Sequence, residues 1–263
     1  MKFPYFSLPR PRFLGHRGAA GHAPENTLHS FEVAARQLMY LETDAWLTRD
    51  GVPVFLHDES LARTCGVDKK ISDLSWNEVQ EFDAGYTFTL DGGKTFPFRG
   101  QGHRIPSVED VLQEFPDKFF NIEIKDAHPE APTKLLEVMD ISDAMERVLL
   151  AAEHDSIMQR IRAVKPDIVP TGAAYNEVYS FLMWLGRGAP KGEYSTGAQA
   201  FQIPHEWEGR DLATREMIAV LHSMGIEVHY WTINDTATAR RLLDQGADGI
   251  VTDVPELARD FRL

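Results

Sequence analysis

Short apolar runs rich in β-branched and aromatic residues alternate with helix-patterned segments along most of the chain, and this alternation restricts the fold more than any other feature. Parallel strands need a crossover connection between them, usually an α-helix, so repeated strand–helix units imply a parallel sheet. Strand-like runs fall at residues 12–15, 40–45, 52–57, 119–124, 148–152, 168–172, 198–203, 227–232 and 249–252. Helical patterns fall at 26–38, 107–114, 131–139, 157–164, 176–185, 211–224, 236–245 and 255–261. Two of these helices end on clear stop signals, Gly225 and Gly246.

The pattern predicts an α/β fold of the TIM (β/α)8 barrel class, with 1–263 as a single domain. Nine runs are one too many for such a barrel. The second and third are separated only by residues 46–51, too few for a crossover helix, so the barrel is expected to be irregular there, with a hairpin-like link. After the third strand the rhythm stops. Residues 59–105, with Tyr86, Phe88, Phe96 and Phe98 among closely spaced glycines, read as a small insertion near the active-site mouth.

Length and composition agree with this. A chain of 263 residues suits one barrel domain, and 43% hydrophobic with 25% charged residues is ordinary for a soluble globular protein. With 27 Lys and Arg against 40 Asp and Glu, the net charge of −13 argues against nucleic acid or an anionic membrane as a partner. An anionic small molecule would therefore need a local positive pocket. The single cysteine, Cys65, excludes an intrachain disulfide. Pro4, Pro9 and Pro11 interrupt the apolar start of the chain, and no apolar run approaches the roughly 18 residues of a spanning helix. A cytoplasmic protein without stable membrane insertion is expected.

Within this frame some charges stand where charge is costly. Residues two apart on a strand share a face, so Glu42 and Asp44 point the same way, as do Asn121, Glu123 and Lys125. A buried carboxylate must be paired, coordinated or neutralised. If Glu42, Asp44 and Glu123 meet at the C-terminal mouth of the barrel, they suit one hard divalent cation, Mg²⁺ or Ca²⁺. The other explanation is a buried ion-pair network with Lys125 and Arg17 and no metal. His16 follows the first strand and His57 the third, placing two groups suited to general acid and base work at the same mouth. Arg17 and Lys125 suit a phosphate, and Trp231 could form an apolar wall beside it. The remaining histidines read as ordinary loop or core residues.

Taken together, these segments resemble the glycerophosphodiester phosphodiesterase family, related to the phospholipase C-like phosphodiesterase barrels. The resemblance rests on His16-Arg17-Gly18, Pro24-Glu25-Asn26-Thr27, Glu42-Thr43-Asp44, residues 50–54 leading to His57-Asp58, the run 121–125, Trp231-Thr232-Ile233-Asn234 and the run 246–253. It implies a barrel enzyme with His16 and His57 as the acid–base pair and Glu42, Asp44 and Glu123 as the ligands of one divalent cation. Arg17 and Lys125 would contact the phosphate of a small-molecule phosphodiester. The implied reaction yields glycerol 3-phosphate and an alcohol. A lysophospholipase D is the nearest alternative, for which Tyr86, Phe88, Phe96 and Phe98 could form an acyl groove, although a satellite hydrophobic cluster under the insertion is the reading preferred for them; a catalytically silent phosphodiester-binding barrel is the other. Thr43 departs from the family's usual apolar residue, and Glu153 receives no role.

Overall fold

The structure, a computed structural model, describes residues 3–164 and 168–261. Its strands are β1 Arg12–Gly15, β2 Tyr40–Leu47, β3 Pro53–Phe55, β4 Phe119–Ile124, β5 Val148–Ala151, β6 Ala200–Pro204, β7 Glu206–Trp207, β8 Arg210–Asp211, β9 Glu227–Trp231 and β10 Gly249–Thr252. The helices are α1 Leu28–Ala35, α2 Ala62–Cys65, α3 Trp76–Val79, α4 Val108–Glu114, α5 Ala131–Ile141, α6 Asp155–Val164, α7 Tyr175–Gly186, α8 Arg215–Ser223 and α9 Thr236–Gln245. Residues Pro255–Phe261 form a 3-10 helix where an α-helical end was expected.

Seven strands run parallel in the order β5-β4-β2-β1-β10-β9-β6. The eighth stave is reduced to two residues: Thr171 bridges Leu150 of β5, and Gly172 bridges Ala200 of β6, both in parallel. A full strand expected over 168–172 does not form, because Pro170 has no N–H to give the ladder and the amide of Thr171 donates to the side chain of Gln199 instead. The result is an α/β barrel with helices on its outside.

The surplus ninth run is β3. It pairs antiparallel with β2, with Ala45 opposite Phe55, and so hangs on the barrel instead of joining it. The turn between them is built by Thr48, whose hydroxyl donates to Asp50 and accepts from the amide of Val52. Helix starts are trimmed by their caps. Thr27 accepts from Ser30 N and Thr214 from Met217 N, so α1 and α8 begin at Leu28 and Arg215.

Leu41, Phe120, Ile122, Val148 and Leu150 face α1, α4, α5 and α6 in one large core, while Phe201, Val228, Tyr230 and Ile250 face α7, α8 and α9 in another. Tyr5 and Phe6 close the N-terminal end of the barrel with Leu14, Tyr40 and Val251. Beneath them Arg12 forms an ion pair with Glu227 at 2.8 Å, and its guanidinium also donates to the carbonyls of Phe6 and Leu8. The Arg12 charge is thus satisfied at the lower end of the barrel.

Residues 59–105 carry α2, α3 and a 3-10 turn over a small core of Leu61, Ile71, Val79 and Ile105. Phe88 meets Phe98 edge-on, and Arg99 lies between the rings of Tyr86 and Phe96. Among the described residues, no helix is long and apolar enough to cross a membrane.

Candidate active site

Strand register assembles the centre of the site. On β2 and β4, Asp44 lies opposite Glu123 and Glu42 opposite Asn121. These are adjacent parallel staves, so their inward residues share one cavity of about 480 Å³ that also receives His16, Arg17, His57, Lys125 and Trp231. All eight residues singled out in the sequence therefore line the same space. Tyr86, Phe88, Phe96 and Phe98 do not line it.

His16 and Arg17 sit just past the end of β1, where the chain turns sharply. Arg17 has φ 49° and Gly18 φ 86°. A Cβ at Gly18 would lie 2.5 Å from the Ser30 hydroxyl oxygen and 2.6 Å from that residue's carbonyl carbon, so only glycine fits. The turn aims the Arg17 amide at Glu42 Oε2, 3.1 Å away. It also places Arg17 Nε 3.5 Å from Asp44 Oδ2.

Each histidine is held at Nδ1 by a carboxylate. Asp253, after β10, lies 2.6 Å from His16 Nδ1, and Asp58 lies 2.7 Å from His57 Nδ1. An ionised carboxylate can only accept, so Nδ1 carries the hydrogen and Nε2 is left toward the cavity. Asp253 is itself fixed by Asn234, which donates to its Oδ2 and accepts from its amide. Burial pushes the His16 pKa down, but Asp253 and the charge of Glu42 outweigh it and leave it raised. Asp253 and Glu25 were not assigned roles from the sequence, although both lie in the runs that carry the family resemblance.

The carboxylates are crowded. Burial, reinforced by the charge of Asp44, pushes the Glu42 pKa up to about 7. Burial also raises Glu123, against the pull of Lys125. Lys125 Nζ stands 2.8 Å from Glu123 and 3.5 Å from Asp44. Burial opposes its charge, yet these partners hold its pKa above the usual value.

For a divalent cation the donor chemistry fits. The buried carboxylates of Glu42 and Asp44 and the half-buried one of Glu123 face one cavity, and Asn121 Oδ1 is buried there without a hydrogen-bond partner among the described residues. The arrangement is not a closed cage: among the described residues no three His, Cys, Asp or Glu side chains already enclose one point. Lys125 and Arg17 stand among the same oxygens.

The opposite wall is apolar and was not visible in the strand pattern. Tyr175, Val178, Tyr179 and Leu182 of α7 line the cavity at helical spacing, and Trp207 of β7 and Trp231 line it too. Only Phe181 of α7 is fully buried. Tyr175, Tyr179 and Met183 are 51%, 45% and 50% exposed, a stripe of apolar surface that a helix packed only for stability would turn inward. Glu153 also lines the cavity.

Residues 16–257 match the model of the glycerophosphoryl diester phosphodiesterase family. A glycerophosphodiester phosphodiesterase of Caldanaerobacter subterraneus subsp. tengcongensis is 29% identical, over 92% of this chain and 94% of that protein. A lysophospholipase D of Mus musculus is 28% identical, over 95% of this chain and 81% of its own length. The crystal structure of a glycerophosphodiester phosphodiesterase from Thermotoga maritima superposes with a TM-score of 0.71 at 25% identity, covering 97% of this chain and all of that one (100%). A barrel of this topology, matched from the first strand's end to the last helix, is an enzyme of the glycerophosphoryl diester phosphodiesterase family.

Proposed function

We propose that the chain hydrolyses small glycerophosphodiesters, such as glycerophosphocholine or glycerophosphoethanolamine, to glycerol 3-phosphate and the alcohol. The observation that carries this reading is the convergence of two carboxylate-held histidines, an arginine, a lysine and three strand-borne carboxylates on one cavity.

In this reading Arg17 and Lys125 bind the non-bridging oxygens of the diester. One histidine takes a proton from the attacking hydroxyl through its free Nε2. The other gives a proton to the leaving oxygen as the phosphorus–oxygen bond breaks. The attacking group is water, or the glycerol 2-hydroxyl followed by opening of a cyclic phosphate. Glu42, Asp44 and Glu123 would hold one Mg²⁺ or Ca²⁺. Once bound, that ion would neutralise charge building on the phosphoryl oxygens.

Release of glycerol 3-phosphate, followed with and without chelator, tests the reading. His16→Ala and His57→Ala should each lower turnover by about 10²–10⁴-fold. A normal rate in either variant removes that histidine from the mechanism, and hydrolysis indifferent to chelator removes the metal.

The α7 wall favours a second reading, a substrate that carries one acyl chain, as in a lysophospholipid. Its place is α7, not the aromatics of 59–105. Burying one large apolar side chain contributes about 1.5–3 kcal/mol, about tenfold or more in kcat/KM. Tyr179→Ser should therefore lose at least that much more against lysophosphatidylcholine than against glycerophosphocholine. Equal losses on the two substrates would exclude the acyl site.

A further inference from the structure

One guanidinium outside the cavity touches both loops that carry the chemistry. Arg63 lies on α2, the single-turn helix that opens the 59–105 segment, and does not line the cavity. Its Nε donates to Asp58 Oδ2 at 2.5 Å. Nη1 and Nη2 reach the two carboxylate oxygens of Glu25, the latter at 2.7 Å. Each of these carboxylates then passes the contact inward. Asp58 Oδ1 holds His57, and Glu25 Oε1 accepts from Arg17 Nη1 at 3.0 Å. Burial favours neutral Glu25, but the bonds from Arg63 and the charge of Arg17 keep it ionised.

We propose that Arg63 is a positioning residue that fixes His57 and Arg17 relative to each other, acting through Asp58 and Glu25. The inference rests on the phosphodiesterase reading above. Its physical basis is the planar fork of arginine, whose N–H groups point in set directions and can serve two carboxylates at once. An ammonium is a point charge on a flexible stem and cannot hold both in register. With its side chain 46% exposed, Arg63 forms the kind of ion pair that contributes little to stability. A purely surface role therefore predicts almost no kinetic effect.

The test is steady-state hydrolysis of glycerophosphocholine by wild type, Arg63→Ala, Glu25→Gln, Asp58→Asn and the two double variants, each checked for folding by thermal melting. Loss of the groups that orient metal-binding side chains costs about 10–100-fold in activity, and the same order is expected for groups that orient an acid–base histidine. Arg63→Ala should lower kcat/KM by that much, with kcat falling through His57 and KM rising through Arg17. In the Glu25→Gln background the same substitution should change kcat alone, and in the Asp58→Asn background KM alone. Arg63→Lys should recover less than half of the lost kcat/KM. If Arg63→Ala does not fold, Arg63→Gln carries the same cycle.

Near-normal kinetics, a uniform loss additive with both partners, or full recovery by lysine overturns the coupling while wild-type turnover leaves the phosphodiesterase reading intact. No turnover by wild type across glycerophosphodiesters, with Mg²⁺ or Ca²⁺ supplied, overturns that reading and this one with it.

Discussion

Asp253 Oδ1 lies 2.6 Å from His16 Nδ1, the shortest link between the end of the last barrel strand and the end of the first. The neighbouring staves β1 and β10 make this contact possible, since Gly15 and Thr252 are in register. Asp253 thereby fixes both the tautomer and the direction of His16. Asp253→Asn removes the charge and keeps the shape, so kcat for glycerophosphodiester hydrolysis should fall about 10–100-fold with KM little changed. A variant that turns over at the wild-type rate would show that His16 needs no such partner.

Lys125 is the counter-charge of the site in the absence of a cation. Lys125→Met leaves Glu123 without its cationic partner and Asp44 with Arg17 alone, and breaking a buried pair from one side costs about 3–5 kcal/mol. Lys125 keeps 22% of its side chain exposed, so the lower end, about 3 kcal/mol, is the ceiling here. Chemical denaturation with chelator present should show this loss, and saturating Mg²⁺ or Ca²⁺ should restore part of it. Unchanged stability with chelator would mean that the carboxylates find relief elsewhere.

Gly18→Ala should fold poorly. The substitution puts a methyl group against the backbone of Ser30 at a φ of 86°, which costs more than about 1 kcal/mol. The melting temperature and turnover should fall together, because the same turn aims His16 and Arg17. An alanine variant as stable and active as wild type would show that the turn relaxes without consequence.

Acid should weaken the fold at Asp248, away from the chemistry. Burial would raise its pKa, but Arg10, the amide of Val228 and His222 hold it below the usual carboxylate range. The folded-state value is thus lower than the unfolded one, about 4. Its contribution is complete above about pH 4 and disappears as pH falls through the folded-state value. Asp248→Asn should cost about 1–3 kcal/mol at pH 7, and the gap between variant and wild type should narrow below about pH 4. Denaturation curves that stay equally far apart at pH 3 and pH 7 would contradict this assignment.

Period and punctuation in the sequence determined the parallel barrel and the order of its main strands and helices, but not the short β7–β8 hairpin or the single-turn helices α2 and α3, because a strand buried on both faces and a longer helix with one apolar stripe leave local signatures that elements of two to four residues do not. The costly charges at 42, 44, 123 and 125 were legible for the same reason: alternation on a strand fixes which residues share a face. What local pattern does not contain is which distant loops meet. The pairing of Asp253 with His16, the two-sided grip of Arg63 and the apolar wall of α7 depend on barrel closure, which brings chain ends together. The stave at Thr171–Gly172 was also set by its neighbours, since two bridging residues suffice when β5 and β6 already stand on either side. Sequence determined the kinds of groups available; the closed barrel decided their partners, because distance in space is fixed only when the sheet returns to its first strand.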